Sequence, residues 1–460
     1  LWAQCLWANP KPAAIFSDRV VLQQGQEIRI WGSADPGEAI SVRLSKDVST
    51  TNAAQDGSWT ARLAPLPAGG PFELTIAGKT SIILHDVLVG EVWLAVGQSN
   101  MVFPLRAAAD GTSALGRAND PLIRFFTVPR LTAERGEWRI CSPESAASFS
   151  AVAFFFAQSL RRQLGVPVGI IVSAYPGTTI EQWSDLNGME INGDDVNRKD
   201  EAPTSGEERA QLPPSVLHNT MIKPFFPFSL RGVIWYQGES NVPRAYKYED
   251  QLKALIACWR KGFENEGLPV LLVQLPSFGA PVPQPRDSPW AELRDAQARV
   301  AKELTNVGLV VTIDLGERAN LHPPRKREVG ERLADQALGL IYGRTGVFSG
   351  PVYESAEMRG SRAIVHFSKN NGALRIQDGT ALTGFALAGA DRKFYWANGS
   401  IQGDDVVVTS SQVPAPVAVR YAWANFPLCN LVNEAGLLAM PFRSDDWPGV
   451  TLRRAEASSR

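Results

Sequence analysis

Charge of neither sign is in excess in this 460-residue sequence, where 46 Lys and Arg stand against 47 Asp and Glu for a formal net charge of −1. No basic run supplies the field that a phosphate backbone or an anionic membrane requires, which argues against nucleic acid as a partner. Long hydrophobic runs are missing too. Crossing a bilayer takes about 20 apolar residues, and the longest candidates are strand-sized, such as 168–172, so no membrane span is expected. The four cysteines, Cys5, Cys141, Cys258 and Cys429, lie far apart without the short paired spacing of a zinc site. They read as mostly buried thiols, and neither a metal nor another cofactor is expected. Residues 1–8 are apolar and contain tryptophan, as the remnant of a cleaved secretion signal would be, so a secreted or periplasmic protein is the expectation. Oligomeric state is not legible.

With 44% hydrophobic residues, the chain exceeds what one core organises, which predicts a large central domain with smaller ones beside it. Residues 1–85 read as a β-sandwich-like domain: short alternating runs (27–31, 40–44) are separated by the turn clusters Asp35-Pro36-Gly37 and Asp56-Gly57-Ser58. From residue 86 to 345, apolar strand-like runs alternate with amphipathic helix-length segments. That alternation predicts an α/β domain with a parallel sheet covered by helices on both faces. Its strands are placed at 91–96, 168–173, 232–237, 270–275 and 308–314, and its helices at 151–164, 244–263, 290–304 and 325–341. Residues 346–460 return to strand-like runs (363–367, 405–409) and form a C-terminal β-rich domain. The polar, proline-interrupted stretch 192–214 suggests mobility.

In an open parallel sheet the ligand site lies beyond the carboxyl ends of the strands. Those ends carry Gly97-Gln98-Ser99-Asn100, Tyr175-Pro176-Gly177-Thr178-Thr179, Gln237-Gly238-Glu239-Ser240-Asn241, and Asp314-Leu315-Gly316 with His322 a few residues on. Acyl transfer needs these parts: a hydroxyl, an imidazole to take its proton, and N–H donors around a developing oxyanion. Of the four histidines, His85 precedes the first central strand and His366 alternates within a C-terminal strand. His218, in a loop or helix start, reads as a packed or exposed imidazole. His322 follows the last strand, stiffened by Pro323-Pro324, and reads as the base. Ser99 is the candidate nucleophile. Gly177 and Gln237 are candidate oxyanion donors, while Gln98, Asn100 and Glu239 support the site. Glu239 reads as a structural residue, held by buried hydrogen bonds or an Arg partner, ahead of acid–base work.

Taken in order, these residues resemble the sialate O-acetylesterase family, a carbohydrate-esterase branch of the SGNH hydrolases. The resemblance runs from Phe16-Ser17-Asp18 and Trp31-Gly32 through Gly90-Glu91-Val92-Trp93-Leu94 and Gly97-Gln98-Ser99-Asn100-Met101. It continues in Gly177-Thr178-Thr179-Ile180-Glu181, Trp235-Tyr236-Gln237-Gly238-Glu239-Ser240-Asn241 and Leu293-Arg294-Asp295-Ala296-Gln297. His322-Pro323, Gly330-Glu331-Arg332-Leu333-Ala334 and Val419-Arg420-Tyr421-Ala422-Trp423 complete it. It implies a three-layer α/β/α SGNH hydrolase with a flavodoxin-like parallel sheet. It also implies a metal-free serine esterase acting on O-acetylated sugars, with Ser99 attacking and His322 relaying the proton, and an oxyanion hole at the Ser99 N–H, Gly177 and Gln237. Many relatives carry Asp two residues before the histidine, where this chain has Asn320. Asp314 across the loop, a backbone carbonyl in a Ser-His dyad, or reduced activity are the three arrangements left, and Asp314 is put forward. A lipase or peptidase, and a carbohydrate-binding homologue that has lost catalysis, are the rival functions. The resemblance leaves the acetylated sugar open between sialic acid and a plant polysaccharide such as xylan or xyloglucan.

Overall fold

The structure, a computed structural model, describes residues 10–132, 136–185, 212–379 and 381–458. Residues 1–8, Cys5 and most of 192–214 therefore lie outside the described residues. Two compact units divide the chain, Leu1–Trp235 with Leu255–Pro269, and Tyr236–Ala254 with Val270–Arg460.

In the first unit the alternating runs become antiparallel strands. Ser58–Leu63 buries Trp59, Ala61 and Leu63 on one face and pairs with Ile28–Ser33. Ala39–Leu44 pairs with both Asp47–Asn52 and Gly69–Ala77. The 17-residue strand Ser81–Gly97 then does two things. Its first residues alternate in burial and lie antiparallel to Gly69–Ala77, whereas every residue from Val87 to Gly97 is buried, as both-face coverage demands. Its last stretch runs parallel to Val168–Ala174, with Glu91 opposite Val168 and Gly97 opposite Ala174. The division read at residues 85 and 86 falls inside this one strand.

The sheet is mixed, not purely parallel as the alternation predicts. Asp120–Thr127, unforeseen in the sequence, lies parallel to Val168–Ala174, and Trp138–Cys141 lies antiparallel to Asp120–Thr127. Ala151–Leu164 packs on this sheet and matches its expected bounds; Ser150 caps it by accepting from the Ala153 N–H, and Gly165 ends it at φ 72°.

In the second unit Val270–Val273 and Val307–Val310 are parallel neighbours, with Pro289–Glu303 and Lys326–Leu340 packed against the latter. The strand expected over 308–314 stops at Val310, so Asp314 lies in the turn beyond it rather than at a strand end. Of the C-terminal strands from Tyr353–Arg359 to Phe442–Arg443, seven make an antiparallel sheet over a core that includes Phe385, Leu387, Val406 and Val419, while Leu374–Ile376 and Leu431–Asn433 pair with each other. Cys141, Cys258 and Cys429 carry no disulfide.

Candidate active site

In the first unit, the strand pairing brings two of the expected segments to one edge. Gly97 ends its strand at φ 152°, and its carbonyl accepts from the Tyr175 N–H at 3.0 Å. Directly after it, Ser99–Val102 forms a single helical turn, with Met101 N–H bonded to the Gln98 carbonyl. Gln98 and Asn100 are buried while Ser99 between them is partly exposed. A hydroxyl is thereby presented from a fixed backbone, in a turn whose Val102 N–H also bonds the Gln98 carbonyl, at 3.1 Å.

The Tyr175–Thr178 turn is braced as firmly. Thr178 Oγ1 donates to the Tyr175 carbonyl at 2.8 Å and accepts from Trp183 Nε1 at 3.0 Å. Gly177 sits between them, exposed and at φ 73°, a left-handed conformation that glycine adopts without strain. Ser99 and Gly177 are thus carried by segments that leave adjacent, hydrogen-bonded strands.

In the second unit, Gln237 is fully buried and held at both ends of its amide. Nε2 donates to Asn241 Oδ1 at 2.8 Å, and Oε1 accepts from the Tyr248 hydroxyl at 2.9 Å. Gln297 Nε2 donates to the Gln237 carbonyl. The Tyr248 hydroxyl lies 3.1 Å from the Gln237 carbonyl as well, so one phenol braces both the backbone and the side chain of Gln237. Gly238, at φ 152°, lies so close to Leu293 that a Cβ would come within 2.8 Å of its Cδ2.

His322 is half-buried, and its backbone N–H donates to Asn320 Oδ1 at 2.9 Å, while Asn320 Nδ2 donates to Glu317. Asn320 therefore shapes the turn that carries the imidazole. Burial and then the neighbouring Lys326 charge hold the His322 pKa below its ordinary value. Asp314 meets the guanidinium of Arg332 with both oxygens, at 2.8 and 2.6 Å, and so ties its turn to Lys326–Leu340. Glu239 is buried and acts electrostatically on Lys326, whose Nζ lies 5.2 Å from the centre of the Tyr236 ring.

Sequence reasoning missed Tyr248, Gln297 and Lys326. The signal for Lys326 was present: it shares the helix stripe of Val329, Gly330, Leu333 and Ala334, all buried. His218 is buried beside Asn219 and Cys258, a packed imidazole. Among the described residues, no group of three or more His, Cys, Asp or Glu side chains is placed to hold a metal ion, and no helix is long and apolar enough to cross a membrane.

A family model described as carbohydrate esterase, sialic acid-specific acetylesterase, matches residues 89–339. Human sialate O-acetylesterase is 29% identical over 513 aligned residues, covering 96% of each chain. The mouse protein of that name is 26% identical over 486 residues, covering 90% of each. The crystal structure of a carbohydrate acetylesterase from Xanthomonas citri is similar with a TM-score of 0.88 at 40% identity, over 95% of this chain and 100% of that one.

Proposed function

The chain belongs to the carbohydrate esterase family of sialic acid-specific acetylesterases, which makes it a carboxylic ester hydrolase, and from that premise we propose a two-step acyl transfer on an O-acetylated sugar. Ser99 Oγ attacks the acetyl carbonyl as His322 takes its proton. The tetrahedral oxyanion is held by the N–H groups of Ser99 and Gly177 and by the Gln237 amide, and His322 then protonates the departing sugar oxygen. Water repeats the cycle on the acetyl-serine and releases acetate.

What carries this is the setting of Ser99: a partly exposed hydroxyl between buried neighbours, in the first turn after a strand whose partner leads into the exposed Gly177. A metal-free route is consistent with these residues, since an imidazole whose pKa is held down is already in its proton-accepting form at neutral pH. Asp314 acts through the loop, where its pairing with Arg332 supports an anchoring role.

For residues 86–345 we infer the three-layer α/β/α arrangement of SGNH hydrolases, between β-rich regions at 1–85 and 346–460; parallel strands in both units and helices packed on them support it. A glycan substrate fits a secreted or periplasmic protein. The test is acetate release from acetylated sialosides, xylan, xyloglucan and pectin, run beside Ser99→Ala. Turnover of the variant should fall by about a thousandfold or more. Cleavage of an aryl acetate by Ser99→Ala at the original rate would end the proposal, and binding of a glycan without acetate release would favour a carbohydrate-binding protein instead.

A further inference from the structure

The segment Leu293-Arg294-Asp295-Ala296-Gln297 lies on the Pro289–Glu303 helix, and no acyl-transfer step uses it. Arg294 and Gln297, three residues apart, share one face of that helix and are fully buried. A buried carboxamide costs free energy unless its donors and its acceptor are matched. Backbone alone matches that of Gln297. Oε1 accepts from the Leu275 N–H at 3.2 Å, and Nε2 donates to the carbonyls of Gln237 and Val273, at 3.3 Å each. These contacts fall where the strands have ended: Gln237 follows the last residue of Gly232–Tyr236, and Leu275 lies two past the end of Val270–Val273. The Gln297 amide bridges the two segments there. Leu275 is held at its carbonyl as well, which accepts from Arg294 Nε at 2.7 Å. A Cβ on Gly238 would lie 2.8 Å from Leu293 and 3.2 Å from Leu275, so the glycine lets the chain after Gln237 close on the same helix.

Resting on the assignment of Gln237 as an oxyanion donor, we propose that Gln297 is a positioning residue for the hydrolysis, holding the Gln237 backbone against the end of the neighbouring strand and so fixing where the Gln237 side chain meets the oxyanion.

Donors around an oxyanion stabilise it fully only when they are already in place, because moving them during the reaction gives part of that stabilisation back. Displacing a group by about 1 Å can cost about a hundredfold in rate. Two sets of contacts divide this task at Gln237. Asn241 and Tyr248 bond its side-chain amide and hold the rotamer. Gln297 bonds the peptide from which that side chain grows, and through Leu275 and Val273 it refers that peptide to the adjacent strand.

The test is a double-mutant cycle in kcat on an aryl acetate, with Gln237→Ala, Gln297→Met and the two combined, beside KM and the urea midpoint of each. Gln297→Met keeps the length of the side chain and removes its hydrogen bonds. Alone it should lower kcat by about tenfold to a hundredfold with KM little changed. Gln237→Ala, which keeps the carbonyl that Gln297 holds, should lower kcat by about a hundredfold or more. Adding Gln297→Met to it should then cost less than about a further twofold. A purely structural glutamine would lower the urea midpoint with kcat unmoved, or add its full loss in the combined variant, and either result overturns the proposal. Should Gln297→Met fail to fold, Gln297→Glu takes its place in the cycle, since it keeps the shape and the acceptor for Leu275 and exchanges only the donor. Wild-type kcat in Gln237→Ala would instead remove Gln237 from the oxyanion hole, a separate failure.

Discussion

The Gln237 amide, proposed above as an oxyanion donor, is held in a fixed orientation by Asn241 and Tyr248 at its two ends. Removing the Tyr248 hydroxyl leaves a buried carbonyl oxygen short of a donor, at a cost of about 1–3 kcal/mol, and frees the amide to turn. Tyr248→Phe should therefore lower kcat more than it raises KM, with a fall in the urea midpoint; an unchanged kcat would detach the network from catalysis. Asp314 offers a second contrast. As an anchor to Arg332 it should tolerate Asp314→Asn with less than about a tenfold loss of turnover, whereas a loss nearer ten-thousandfold, measured on the same ester, would make it the residue that orients His322. Ser99 and Gly177 were legible as residue types just past strands, and His322 as an imidazole in the loop that follows Val307–Val310. The Tyr248 contact was not, because a helix residue eleven positions from Gln237 becomes its partner through packing alone.

Among the elements, Ser81–Gly97 explains why one boundary was hard to read. Alternating and continuous apolar patterns follow one another in a single strand, since its first part is covered on one face and its second on both. Asp120–Thr127 escaped notice because Pro121 interrupts its start and Arg124, a residue that patterning assigns to solvent, is buried within it. Pro289–Glu303 carries another buried cation. Arg294 donates to the carbonyls of Leu275, Pro276, Ala424 and Asn425, so one guanidinium ties the helix to two loops of its own unit. An ammonium has three donors and no planar fork, so Arg294→Lys should leave buried carbonyls unmatched and cost about 3 kcal/mol or more, read from the urea midpoint. A loss below 1 kcal/mol would mean that the carbonyls find other partners.

For the whole molecule, the buried lysine makes stability depend on pH with a definite sign. The Lys326 pKa falls from 10.5 in the unfolded chain to about 7 in the folded one, so the unfolded state binds more protons between those values and stability rises with pH across that window. The penalty is fully present below pH 7 and gone above 10.5. Wild-type urea midpoints, compared with those of Lys326→Met, should gain from pH 7 toward 10; parallel curves would refute the assignment. His218 and His322, whose pKa values burial lowers, act at the other end and draw stability down as pH falls below 6.5. Element types along the chain, the alternation that builds an α/β core, the serine just past its strand and the histidine in the loop after the last one follow from local patterns of apolar and polar residues, which act over a few neighbours. The mixed sheet, the hold on Gln237 and the burial of Lys326 came from packing between distant segments, because whether a polar group meets water, a carbonyl or another charge depends on what the rest of the chain lays against it.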